Sequence, residues 1–223
     1  MHAPKTITIL GCGWTGKALQ AHLEAEGHTV HCLSRDIKEN KTQGWYNCDT
    51  LVIAIPPRGA YLTVLEEALG LLSVGTQVVL LSSVSYYDGK ALVVEGEALV
   101  RRLWPDVVVL RLGGLMGEDR IAGKYTAGKM LPHDSRSNYV HREDVVGVIA
   151  AVIAQGVRDE VLDVVAPLQY PKSRIFAANA QRFGFAQTGF ESLELRGKEI
   201  SSRDLELRLG YRFVYPDVLR FWD

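Results

Sequence analysis

The apolar run Ile7-Thr8-Ile9-Leu10 passes directly into Gly11-Cys12-Gly13-Trp14-Thr15-Gly16, and a helical pattern, Lys17 to Leu23, leaves it. Strand, G-x-G-x-x-G and helix in immediate succession form the context in which this short motif acquires meaning. Gly11 allows the tight turn, Gly13 lets a pyrophosphate lie against bare backbone, and Gly16 lets the helix pack close to the strand. The N–H groups at the helix start then face the anion. Trp14 and Thr15 share the loop, with Trp14 covering it. A plain glycine-rich strand–helix turn would read the same way, so the rest of the chain has to decide.

Downstream, the first helix is expected to end near Gly27, with Leu19 and Leu23 on its apolar face. Thr29 to Leu33 reads as a second short strand, followed by Ser34-Arg35-Asp36. In dinucleotide folds an acidic residue roughly 20 residues beyond the glycines holds the adenine ribose. Here a hydroxyl and a guanidinium come first, and Arg matches a 2′-phosphate with bidentate donors. Ser34 and Arg35 therefore favour NADP. NAD, with Asp36 on the ribose and Arg35 solvated, is the alternative.

The connection from Ile37 to Cys48 is short and polar: a crossover alone takes about a dozen residues, which leaves no room there for a full strand of its own. The next strand of the standard order is thus expected to be abbreviated or missing. Asp49 to Ile55 reads as the following strand and stops at Pro56-Pro57-Arg58, where a cofactor would pass; Arg58 is read equally as a phosphate contact and as a surface arginine. Ile55, Pro56 and Pro57, with Ser82 at the end of the almost wholly apolar strand Gln77–Ser83, complete the expected cofactor lining. Helices with buried faces are expected after Tyr61, from Glu95 to Leu103 and from Glu143 to about Gln155, and further strands at Val107–Leu112 and Val161–Val165. The alternation predicts an α/β fold, a Rossmann-type doubly wound parallel sheet with helices on both faces.

After Pro167 the pattern changes. Ser173 is placed to cap a helix ending at Gly184, Ser201-Ser202 to start another ending at Gly210, and Tyr211, Phe213 and Tyr215 alternate as on a half-buried strand. The expected division is residues 1–166 as the dinucleotide-binding domain and 167–223 as a small C-terminal lid or substrate region.

Composition narrows the partners. A net charge of −1 with no basic block argues against nucleic acid and anionic membrane. No apolar stretch approaches the ~18 residues of a membrane span, and the N-terminus lacks a signal-peptide pattern. Three cysteines without framework spacing point to a reducing compartment, so a cytoplasmic location is expected. A small-molecule substrate is the expected partner, the choice between monomer and homodimer stays open, and no metal site is expected. His31 and Cys32 alternate across the strand, so with His28 they make a poor ligand set. Cys12, between two glycines of the loop, is read either as a tolerated small residue or as a group able to sense oxidation.

Five stretches in register resemble the extended and atypical short-chain dehydrogenases/reductases, the group often labelled NAD-dependent epimerase/dehydratase. They are Gly11–Gly16, the strand end Leu80–Tyr86, Arg111-Leu112-Gly113-Gly114-Leu115-Met116-Gly117, Tyr139–Val145, and the ending Gly210–Pro216. The ending is most similar to an atypical bacterial branch of nucleoside-diphosphate-sugar epimerase-like proteins. The resemblance implies a Ser or Thr that polarises the substrate after the strand at 77–83, then Tyr-x-x-x-Lys on the next helix, with the tyrosine as acid/base. Ser83 and Ser85 flank the first position, although one register puts Val84 there. Where the helical pair belongs the chain has Gly89 and Val93, judged from Glu97 standing for the glutamate that follows the pair. Tyr86-Tyr87-Asp88-Gly89-Lys90 spells the motif too early, and Asp88-Gly89 is turn chemistry that breaks a helix. Ser83, Ser85 and Tyr86 are the catalytic candidates. Arg111 is expected to pair with a carboxylate, Asp144 to cap the following helix, and His141 to brace a loop, with proton transfer by His141 as the lesser alternative. The expected function is hydride transfer by an oxidoreductase or epimerase-like enzyme on a small polar or nucleotide-sugar substrate. The alternative is a non-catalytic NADP(H)-binding sensor or interaction protein.

Overall fold

The computed structural model describes residues 3–33 and 43–223. Its first half runs β1 (Thr6–Leu10), α1 (Trp14–Ala25), β2 (Thr29–Leu33), β3 (Thr50–Ile53), α2 (Tyr61–Leu69), β4 (Gln77–Ser83), α3 (Ala91–Leu103) and β5 (Val108–Leu112). The second half runs β6 (Gly114–Met116), β7 (Met130–Ser135), β8 (Tyr139–His141), α4 (Arg142–Gln155), β9 (Glu160–Val164), α5 (Lys172–Phe183), β10 (Gly189–Arg196) and α6 (Arg203–Leu209).

Six strands form one parallel sheet in the order β2-β1-β3-β4-β5-β9. Leu10 lies beside Leu33 on one side and Ile53 on the other, so three strand ends meet at one edge. The chain moves outward from β1 to β2, then returns to the other side of β1 as β3. That reversal opens a crevice at the carboxyl ends of β1 and β3, the place where such sheets bind ligands. Among the described residues no strand lies outside β2; residues 34–42, where an abbreviated strand or none was expected, lie outside them.

Contacts divide the chain into two units, residues 1–111 with 146–162, and residues 112–145 with 163–223. These units interleave along the chain, whereas the expected division is a single cut between residues 166 and 167. In the first unit, Leu10, Leu51, Ile53, Leu65, Leu80 and Val109 are among the side chains of a buried core. Helices α2 and α3 approach closely because Gly96 has no side chain: a Cβ there would stand 2.5 Å from the Tyr61 ring. Among the described residues no helix is long and apolar enough to cross a membrane.

The second unit holds two parallel strand pairs, β6–β8 and β7–β10. Its core gathers Tyr139, Ile175, Phe176, Val218 and Phe221. Two local expectations change here. Helix α5 starts at Lys172 with Pro171 as its cap residue, and Ser173 lies inside the first turn with its hydroxyl donating to Asp134 Oδ2 at 2.5 Å. Residues 211–216 alternate in burial as expected but form no strand. Their backbone is claimed instead by a side chain: Val214 and Tyr215 N–H donate to the two Asp144 oxygens at 2.7 and 3.0 Å.

Candidate functional site: a glycine loop and a tyrosine–arginine stack

The glycine loop is shaped by close backbone approaches. Gly11 has φ +118, and a Cβ on it would meet the Ala54 carbonyl carbon at 2.7 Å. A Cβ on Gly16 would stand 2.2 Å from Gly11 O. Both positions exclude any side chain. A Cβ on Gly13 would meet nothing within 4 Å, so the loop's middle glycine leaves open space directly at the helix start. Helix α1 begins there without a side-chain cap, and Lys17 N–H donating to Gly13 O is its first backbone bond. The N–H groups and dipole of an uncapped helix start suit an anion. The residues present therefore fit a dinucleotide diphosphate.

Neighbouring segments complete the crevice. Gly11 and Cys12 N–H both donate to Leu33 O, at 2.9 and 3.0 Å, which ties the loop to the end of β2. A disulfide joins Cys12 to Cys32 across the same gap, with the Cα atoms 5.4 Å apart. This departs from the reading of the three cysteines, whose spacing showed no pairing and pointed to a reducing compartment; Cys48, which is buried, is free. The pairing follows from parallel register, since Cys32 lies opposite Ile9, just before the loop begins. On the other side Ile55, Pro56, Arg58, Tyr61 and Val64 line a cavity of about 390 Å³ that reaches Leu10. Its apolar walls suit a planar ring system. Tyr61 is buried, which pushes its phenol up to about 12.

The end of β4 carries a second cluster. Ser83 Oγ accepts from Ser85 N–H at 3.2 Å and from the Ser85 hydroxyl at 3.0 Å. Ser83 thereby keeps its own proton for a further acceptor. Ser82 donates to Glu97 Oε1 at 2.5 Å. Arg111 reaches the same carboxylate through Nε at 3.1 Å and Nη2 at 2.8 Å, and donates from Nη1 to Tyr87 OH at 3.1 Å. Burial works against the Arg111 cation, but its bonds to Glu97 and Tyr87 outweigh that, so its pKa rises and it stays charged. The Arg111 guanidinium carbon stands 3.5 Å from the centroid of the Tyr86 ring. This cation–π contact fixes the ring, and among the described residues the phenol oxygen has no hydrogen-bond partner.

Comparison with known proteins places this geometry. No family model matches the sequence. The Protein YeeZ of Escherichia coli K12 is 25% identical, the alignment covering 96% of this chain and 98% of that protein. A Methylobacillus flagellatus protein assigned to the NAD-dependent epimerase/dehydratases superposes with TM-score 0.80 at 22% identity, covering 99% and 97% of the two chains. MoeE5, solved with UDP-glucose and NAD, gives TM-score 0.76 at 15% identity over 96% of each chain. A short-chain dehydrogenase/reductase superfamily protein from Agrobacterium tumefaciens with bound NAD gives 0.70 at 13%, covering 96% and 94%. This chain has their fold.

Against that fold the expected site residues separate into groups. Gly11, Gly13, Trp14, Thr15, Gly16, Ile55, Pro56 and Pro57 lie on the loops that follow β1 and β3, or at the start of α1. Ser82, Ser83, Ser85 and Tyr86 lie together at the end of β4, with Ser82 turned to Glu97. Ser34 and Arg35, which carried the NADP reading, lie outside the described residues. Tyr86 and Lys90 do not share a helix: left-handed Gly89, at φ +70, separates the turn Val84–Asp88 from α3, and Lys90 is only the residue before that helix. Arg111 pairs with Glu97 as expected.

Two assignments in the second unit exchange roles. Asp144 does not cap its helix; it accepts from Tyr211 OH at 3.0 Å as well as from the two N–H groups of 214 and 215. His141 is the capping group, its Nδ1 accepting from Glu143 N–H at 3.3 Å. The His141 ring packs on Tyr215 at 3.7 Å and on Phe221 at 5.4 Å, and a Cβ on Gly117 would stand 2.3 Å from its Nε2. Burial lowers its pKa, with Asp144 and Glu143 opposing. The Tyr86–Arg111 stack was missed by sequence reasoning. The sequence carried only the expectation that Arg111 meets a carboxylate, not that the partner is Glu97 or that the guanidinium covers Tyr86.

Proposed function

We propose that the chain binds a pyridine dinucleotide at the start of α1, NADP(H) in preference to NAD(H). We propose further that it acts in the cytoplasm as an atypical short-chain dehydrogenase-type oxidoreductase or epimerase, by hydride transfer on a small polar or nucleotide-sugar substrate. The observation that carries this is the open space at Gly13, held between two glycines that backbone contact makes obligatory. The fold's occurrence with NAD in MoeE5 and in the Agrobacterium tumefaciens protein supports the dinucleotide. The UDP-glucose bound by MoeE5 supports a nucleotide-sugar substrate. The NADP preference rests on Ser34-Arg35 in the sequence, since a guanidinium suits a 2′-phosphate.

The nicotinamide supplies the hydride chemistry when bound. The chain's own part is orientation and proton handling. The Ser83 hydroxyl, with its oxygen already accepting from Ser85, is directed to donate to a substrate oxygen. Tyr86 supplies a phenol whose ring Arg111 holds still.

A second reading is favoured by one specific observation. The positions of the helical Tyr and Lys are taken by left-handed Gly89 and by Val93, which is buried, so the family's proton-transfer pair has no counterpart there. On that reading the chain is a non-catalytic NADP(H)-binding sensor or interaction protein.

Titration calorimetry tests the shared premise. Wild type is expected to bind a pyridine dinucleotide. Gly13→Ala is expected to melt like wild type, because its Cβ meets nothing, and to lose affinity by about tenfold or more as the added carbon occupies the diphosphate's place. Uptake of neither NAD nor NADP by the folded protein overturns the proposal. NADPH oxidation against a panel of carbonyl compounds and nucleotide-sugars then separates the two readings. Turnover that Tyr86→Phe abolishes, with binding kept, supports the enzyme. Binding without turnover supports the sensor.

A further inference from the structure

The geometry points to Cys12–Cys32 as a reversible thiol–disulfide site that controls how tightly the glycine loop holds its dinucleotide. The inference rests on the dinucleotide reading above and adds a regulation to that same site.

The two sulfurs bridge the segments that the proposed cofactor also bridges. Cys12 stands between Gly11 and Gly13, and Cys32 is the penultimate residue of β2. On that reading the loop holds the diphosphate and the adenosine end lies beside the end of β2. Beside the covalent link, Leu33 O accepts from Gly11 and Cys12 N–H, just past the point where β1 and β2 pair at Leu10 and Leu33. Two separate thiols cannot stay at bonding distance. On reduction the loop and the strand end must therefore part, or one side chain must swing away. The oxidised form is the pre-organised one, and pre-organisation raises affinity by lowering the ordering cost of binding.

Chemistry and access both favour reversibility. Cys12 and Cys32 are each partly exposed, unlike a cystine sealed in a core, so a thiolate can reach them. The reduced state has an acceptor waiting, since Gln20 Oε1 lies 3.8 Å from Cys12 Sγ. Cys48 does not compete: it is buried, and burial pushes its thiol pKa up, which keeps it protonated. A dithiol reductant attacks one sulfur, passes through a mixed disulfide and leaves as its own disulfide; two electrons and two protons end on Cys12 and Cys32. In the reverse direction hydrogen peroxide converts one thiolate to a sulfenic acid, and the second thiolate displaces its oxygen as water to restore the bond.

The test uses the full chain, oxidised by peroxide or reduced by dithiothreitol, with alkylation and mass measurement fixing the state. Alkylated in denaturant, the protein is expected to show one reactive cysteine, Cys48, after oxidation and three after reduction. Calorimetric titration with NADP and NAD is expected to give about fivefold weaker binding to the reduced protein. Hydrogen exchange without cofactor is expected to quicken at residues 10–16 on reduction. Cys12→Ser and Cys32→Ser are expected to bind like reduced wild type under both conditions; should either fail to fold, reduction of wild type carries the comparison alone. Three alkylatable cysteines after peroxide overturn the inference. Equal affinity and equal exchange in the two states also overturn it, while leaving the dinucleotide reading standing. Binding in neither state overturns both.

Discussion

Residues 11–13, with the helix start they lead into, and residues 211–217 both lie outside the strands, and they are held in opposite ways. The first stretch is held by what is missing. Side chains at Gly11 and Gly16 would collide with backbone, and the one at Gly13 would enter empty space. The second stretch is held by a carboxylate: Asp144, fully buried, takes one hydroxyl and two N–H donors from Tyr211, Val214 and Tyr215. Elsewhere in the second unit Asp134 accepts from Ser135 N–H, Ser173 N–H and the Ser173 hydroxyl. Gln169 donates to Tyr139 O and Ala166 O while accepting from Ser137 and from Tyr139 N–H. Backbone held by glycine contacts keeps its polar groups for a ligand. Backbone held by buried side chains spends those groups on the fold. For this reason a buried, titratable pair such as His141 and Asp144 reads as structure, while a loop with no functional side chain reads as a site.

The contrast breaks first at Asp144. Asp144→Ala strands three donors around a buried hole, and removing one partner of such a cluster costs about 4 kcal/mol. Urea unfolding measures it; a loss below about 1 kcal/mol would mean that residues 211–217 are held by something else. Next in size is Glu97, where the first unit departs from its own rule by burying a carboxylate under the β4 end. Glu97→Ala leaves Arg111 without its countercharge, at an expected cost of about 3 kcal/mol. Dinucleotide affinity is expected to survive that change, because no glycine-loop contact involves Glu97. A loss of both together would show that the stack and the loop are one site energetically.

The first unit was largely legible. Strand β4 was read to the residue because the apolar run Val78–Leu81 lies within polar ends bounded by turn signals, and the glycine loop because its spacing encodes its contacts. The second unit was not. β7 contains Pro132, which argues against a strand, yet among the described residues β7 pairs only with β10, and a sheet edge tolerates a proline. The alternation of Tyr211, Phe213 and Tyr215 correctly reported burial, but the N–H groups that would have made a ladder go to Asp144, some seventy residues earlier. A local pattern carries no trace of a partner so distant. The disulfide was hidden for a related reason: an odd count of cysteines says nothing of a parallel register that brings Cys32 beside the first loop.

The smallest effect sharpens the comparison most, because it asks whether the second unit's buried histidine is free to ionise. His141 is 3% exposed, and burial lowers its pKa below the ordinary 6.5, against the pull of Asp144, Glu143 and Glu118 and with the help of Arg142. A histidine depressed in the fold binds its proton more readily in the unfolded chain. Its contribution to stability is therefore present above the unfolded value, near pH 6.5, and is lost as the pH falls through that value toward the folded one. The loss is bounded at about 1.4 kcal/mol per pH unit for a single proton. Thermal unfolding between pH 7.5 and 5.5 is expected to slope downward in wild type and more shallowly in His141→Gln, which keeps a polar acceptor beside Glu143 N–H but cannot take a charge. Parallel slopes would mean that His141 protonates as easily in the fold as outside it. The stack on Tyr215 and Phe221 would then be loose enough to admit water, and the second unit would regain a titratable group for chemistry.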